Sequence, residues 1–91
     1  MDPFIQIVRG SRLEGHVKYQ EGSNCASFGF EIGMDDSCGI AAPYGDKWDS
    51  EYPWLSGRRT DVLTAIGEEL IKEDFPSHKL RITELFLWVV S

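Results

Sequence analysis

Apolar and polar residues alternate over most of the first forty positions. Ile5 and Ile7 face one way and, across a Gly10-Ser11-Arg12 turn, Leu13, Val17 and Tyr19 repeat the period of two, which predicts a hairpin of two half-buried strands. Glu21-Gly22-Ser23-Asn24 breaks the pattern. It leads into the cleanest alternation in the chain, with Ala26, Phe28, Phe30 and Ile32 on one side and Cys25, Ser27, Gly29 and Glu31 on the other. Past a turn at Gly33-Met34-Asp35-Asp36-Ser37, Cys38, Ile40 and Ala42 can stand opposite Ile32, Phe30 and Phe28, so one apolar face continues. The first 42 residues therefore read as a four-stranded antiparallel meander.

The period then changes. Val62, Leu63, Ile66 and Leu70 form a helical stripe, with Glu68, Glu69, Lys72 and Glu73 outside it and Ser56 as a candidate cap. Phe75-Pro76-Ser77-His78 ends that helix, because proline cannot continue it. Residues 79–90 follow as one last strand, alternating through Leu80 and Ile82 and then apolar on both faces from Leu85 to Val89. The expected fold is α+β, one domain over residues 1–91, with element order β-β-β-β-α-β, the helix on one sheet face and strand order 5-1-2-3-4. Parallel pairing of the last strand with the fourth is the alternative. In either arrangement Phe4, Val8, Phe86, Trp88 and Val90 crowd the face away from the helix and require a cover. An aromatic segment of the same chain or a second subunit could supply it.

That aromatic segment is 43–57, PYGDKWDSEYPWLSG, in which Tyr44, Trp48, Tyr52 and Trp54 are interspersed with Asp46, Asp49 and Glu51. It reads as a long ordered connection, because its aromatic content argues against disorder. Exposed Trp and Tyr rings suit recognition, whereas buried ones would plug the uncovered sheet face. Arg58 and Arg59 follow at the helix start, where cations oppose the positive end of the helix dipole. Ion pairs with Asp46, Asp49 or Glu51 would offset that cost. An anion held by the first-turn N–H groups and the arginine forks is the sharper alternative.

Composition narrows the function. Ninety-one residues with 42% hydrophobic content support one small core, without room for separate catalytic and cofactor domains. A formal charge of −6 disfavours a nucleic-acid partner and favours a basic protein. The N-terminal stretch lacks a basic segment followed by a long apolar one, and the longest apolar run is far below the roughly 20 residues that span a bilayer. A cytoplasmic chain with no membrane contact is the expectation. Cys25 and Cys38 have no metal-ligand spacing and fall on opposite strand faces, so neither a metal site nor a disulfide between them is expected. Asp35-Asp36 reads as turn chemistry, since the spaced ligands of a calcium loop are missing. His16, Ser27 and Glu31 share an outward face, yet side chains on a regular strand pair lack an oriented base and an oxyanion hole.

These features predict a non-catalytic acidic module, without cofactor or metal. It would bind another protein, through a basic or an apolar surface of that partner, in the manner of an inhibitor or immunity protein. The expected contact residues are Tyr44, Asp46, Trp48, Asp49, Glu51, Tyr52, Trp54, Arg58 and Arg59. Two other classes compete: a small-ligand domain with an anion at the helix start, and a structural homodimer.

Overall fold

The computed structural model describes residues 3–10, 13–33, 37–74, 77–84 and 86–90. The turns expected at Ser11-Arg12 and Met34-Asp35-Asp36, the break at Phe75-Pro76 and the burial of Leu85 lie outside the described residues. The elements are β1 (Phe4–Arg9), β2 (Glu14–Glu21), β3 (Asn24–Ile32), β4 (Cys38–Ala41), α1 (Asp46–Glu51), a 3-10 turn (Pro53–Leu55), α2 (Arg59–Asp74), β5 (Lys79–Ile82) and β6 (Phe86–Val90).

The meander forms: Val17 stands opposite Phe28, Phe30 opposite Ile40 and Ile32 opposite Cys38, as the alternation predicts, and Ile7 stands opposite Val17, while β4 ends at Ala41, before the Ala42 expected opposite Phe28. A slip of one residue would turn every apolar side chain of a strand to the wrong face, so this pattern specifies its own pairing. The sheet is antiparallel throughout, but it has six strands in the order β1-β2-β3-β4-β6-β5, where five in the order 5-1-2-3-4 were expected. The single last strand is in fact a hairpin. Thr83 breaks it locally: its Oγ1 accepts the Phe86 N–H and donates to the Phe86 carbonyl, both at 3.1 Å. The competition of a short hydroxyl side chain with ladder hydrogen bonds accounts for the turn. With the direction thus reversed, β6 pairs antiparallel with β4, placing Leu87 opposite Ile40 and Trp88 opposite Gly39, and β5 becomes the edge.

One sheet face carries the core. Val17, Tyr19, Phe28, Phe30, Ile40, Leu87 and Val89 are buried there beneath α2, whose Val62, Leu63, Ile66 and Leu70 form the facing stripe. The helix begins at Arg59, and the Val62 N–H bonds to the Arg58 carbonyl at 2.9 Å, so Ser56 lies before the helix and does not cap it. Residues 43–57 are not a structureless connection, because α1 and the 3-10 turn lie within them. Six residues are too few to hold a helix by propensity, and burial of Trp48 supplies the missing stability. This segment packs on the same face as α2. It does not cover the far face.

Candidate functional site

The aromatic segment splits into an inner and an outer part. Trp48 is 1% exposed; its ring stacks on Phe28 at 5.8 Å and its indole N–H donates to the Leu55 carbonyl at 2.8 Å. Tyr52 packs against both Phe28 and Trp48, while Trp54 lies over Tyr19 with centroids 6.3 Å apart. Burial, and secondarily the neighbouring Glu51, raises the Tyr52 phenol above its ordinary value. Asp49 is half-buried and accepts the Gly57 N–H at 3.0 Å. Tyr44, Asp46 and Glu51 remain exposed. Thus the chain brings Trp48, Tyr52 and Trp54 together as cover for the helix-side core, and leaves Tyr44 with the carboxylates outside.

Both arginines are already engaged. The Arg58 fork grips Glu21 at the end of β2, Nη1 to Oε1 at 3.0 Å and Nη2 to Oε2, and none of the loop carboxylates expected from the sequence takes that place. Tyr19 donates to the same Glu21 Oε2 at 2.6 Å. Hydrogen bonding to Arg58, and then to Tyr19, holds the Glu21 carboxyl below its ordinary range, while burial, reinforced by Glu21, pushes the Tyr19 phenol up to about 12. Arg59 donates to the main-chain carbonyls of Pro43 at 2.6 Å, Ala42 at 3.3 Å and Glu84 at 3.0 Å, and its guanidinium sits 5.3 Å from the centre of the Tyr44 ring. It ties the end of β4 to the β5–β6 turn. Desolvation lowers its pKa. An anion at the helix start would have to compete with Glu21 for one fork and with three carbonyls for the other.

Among the described residues, no element covers the opposite face of the sheet. A trough of about 920 Å³ crosses β2, β3, β4 and β6, with Phe86 and Trp88 along one side, Glu14, His16 and Glu31 along the other, and Gly29, Gly39 and Ala41 in its floor. One cross-strand row defines it: Glu14 opposes Glu31, Glu31 opposes Gly39, Gly39 opposes Trp88, and Trp88 opposes Arg81. At about 4.8 Å per strand, the carboxylate of β3 and the indole of β6 rise from backbones about 10 Å apart. Phe86 and Trp88 are half-buried, with ring centroids 5.1 Å apart.

The two floor glycines have different causes. A Cβ on Gly39 would lie 2.6 Å from Cζ3 of Trp88, so this residue must be glycine for the indole to lie across β4. Gly29 has no such reason. A Cβ there would meet nothing nearer than the Gly15 carbonyl oxygen at 3.9 Å, and Gly29 is not among the glycines with positive φ. Glycine inside a strand weakens it and often marks a bulge, a bend or a place where another group approaches closely. The Glu14–Glu31 pair is likewise locally unfavourable: like charges stand directly opposite, and neither has an ion-pair partner among the described residues.

His16 stands opposite Gly29 and Ser27 opposite Lys18, on regular antiparallel ladders. Among the described residues no three His, Cys, Asp or Glu side chains are placed to hold a metal, and no helix is long and apolar enough to cross a membrane. Cys25 is exposed and Cys38 buried, both as thiols. The apolar pattern puts Phe86 and Trp88 on a face in need of cover, and does not by itself mark that face as a candidate site. Two strand-interior glycines, Gly29 and Gly39, on the same side of neighbouring strands are the signal that could have revealed it. The fold and site thus define a small α+β domain with one closed sheet face and one open, aromatic and acid-rimmed face. Compared with family models, curated proteins and solved structures, the chain has no match.

Proposed function

We propose that the chain is a non-catalytic protein-binding module that docks a second protein on the open face of its sheet. The observation that carries this reading is Gly29, a strand-centre glycine with empty space above it, in a trough walled by half-buried aromatic rings. Apolar surface of this kind gains when water is displaced, and aromatic side chains at the centre of a contact supply most of its energy. The net charge of −6 and the rim carboxylates of Glu14 and Glu31, which have no ion-pair partner among the described residues, favour a basic partner. An inhibitor- or immunity-type protein would act in this way, by occupying a partner's surface without chemistry of its own.

A second contact through residues 43–57 has one observation in its favour, the 54% exposure of Tyr44 beside Asp46 and Glu51. Affinity capture with the immobilised full chain separates the two. A stoichiometric partner retained by the wild type and by Tyr44→Ala, and lost from both Gly29→Val and Trp88→Ala, supports the sheet face. Retention by Gly29→Val and Trp88→Ala together with loss from Tyr44→Ala would transfer the function to the aromatic segment.

A further inference from the structure

The open face has its own charge order, and that order selects an occupant. Along the row Glu14, Glu31, Gly39, Trp88, two carboxylates stand at one end and an indole at the other, the indole lying over Gly39, and beside this row the floor has no side chain at Gly29. A group that fills this space must be long and narrow, apolar along its stem, flat at some point where it meets the indole, and cationic where it meets the carboxylates. An arginine side chain has all of these properties. Its guanidinium presents paired donors to carboxylate oxygens and stacks on an indole face, whereas lysine offers a compact, strongly hydrated charge.

We propose that the partner protein inserts an arginine side chain into this trough, its stem over Gly29 and its guanidinium at the Glu14–Glu31 pair, with Trp88 as the flanking wall. This deepens the proposed function and rests on it, since it names the chemistry of the partner at the same face. Charge complementarity decides for such a partner over a second copy of the chain. Two copies of charge −6 repel at distance, and the only cation in the described row, Arg81, lies beyond Trp88 on the edge strand. Both local costs then have a reason. An incoming guanidinium removes the repulsion between Glu14 and Glu31, and the missing side chain at Gly29 leaves the path for the stem.

The test uses the full chain, labelled with ¹⁵N, and three capped peptides: acetyl-Gly-Arg-Gly-amide, its lysine counterpart and its citrulline counterpart, which keeps the shape and removes the charge. The arginine peptide should shift the amides of Gly29, Glu31 and Gly39 and the Trp88 indole in a saturable, salt-sensitive manner. The lysine peptide should bind more weakly and the citrulline peptide about ten-fold more weakly or not at all. The double variant Glu14→Gln/Glu31→Gln should lose about ten-fold in affinity for the arginine peptide with an unchanged fold. Equal binding of citrulline, shifts spread over the acidic surface of α2, or no shift at millimolar peptide would overturn the proposal. So would a dimer seen by light scattering that dissociates in the double variant, because Arg81 of a second copy would then be the occupant. Failure here is distinguishable from failure of the sheet-face reading. If the captured partner is lost from Gly29→Val but kept by Glu14→Gln/Glu31→Gln, the face is the site and arginine is not its occupant.

Discussion

Trp48 and Trp88 belong to opposite faces of one sheet, and the chain treats them differently. Trp48 is enclosed, stacked on Phe28 and hydrogen-bonded through its indole to Leu55, with a short helix that exists largely to hold it in place. Trp88 lies on bare backbone: Gly39 is beneath it, Phe86 beside it, and part of its ring remains open to water. The closed face buries its apolar side chains between sheet and helix. The open face keeps features that packing does not explain, an unfilled Gly29 and the opposed Glu14 and Glu31. Local rules of packing and charge are broken most often at functional or strained sites.

The comparison breaks most readily at the two indoles. Trp48→Ala should cost about 3–5 kcal/mol in urea or thermal unfolding, because it opens a cavity beneath α1 and leaves Phe28 and Tyr52 without their partner. Trp88→Ala should cost no more than about 1 kcal/mol, since its ring is already partly in water. Similar losses for both would make Trp88 a packing residue and remove the distinction between the faces.

Glu21 tests the seam between the meander and the helix. Its carboxyl is held below the ordinary value of 4.5 by Arg58 and Tyr19, so folding favours its ionised form. The resulting stabilisation is complete above that ordinary value and is lost as the pH falls through the lowered folded value. Glu21→Gln should therefore be less stable than wild type in urea melts at pH 7, and the gap should narrow on acidification below pH 4.5. A gap independent of pH would remove the ion pair as its cause. On the open face the expected effect is smaller and opposite in sign. Glu14→Gln or Glu31→Gln should stabilise the fold by about 0.2–1 kcal/mol at low salt, with the gain shrinking as salt is added. Destabilisation by either change would mean that the pair serves the fold.

Much of this architecture is legible in the sequence because alternation specifies face and register together. Val17 with Phe28 and Phe30 with Ile40 follow from the apolar pattern alone, as does the α2 stripe. The hairpin of β5 and β6 is hidden because its turn rests on one threonine side chain within an otherwise apolar run. α1 is hidden because six residues show no period and form only against a core that must already exist. Arg58 finds Glu21, 37 positions upstream, through tertiary proximity that no local spacing encodes. The aromatic segment is conspicuous by composition, whereas the trough depends on glycines, Gly39 admitting the Trp88 indole and Gly29 leaving open space. That is visible only once strands are in register, when Gly29 and Gly39 fall on one face.

Gly29→Val tests the central claim most directly, when unfolding and partner capture are measured on the same variant. A strand-centre glycine replaced by a β-branched residue with free space above it should gain about 0.5–1 kcal/mol of stability. The account predicts that gain together with loss of the captured partner. A variant that is more stable and still binds, or one that is destabilised because the fold itself needs Gly29, would contradict it.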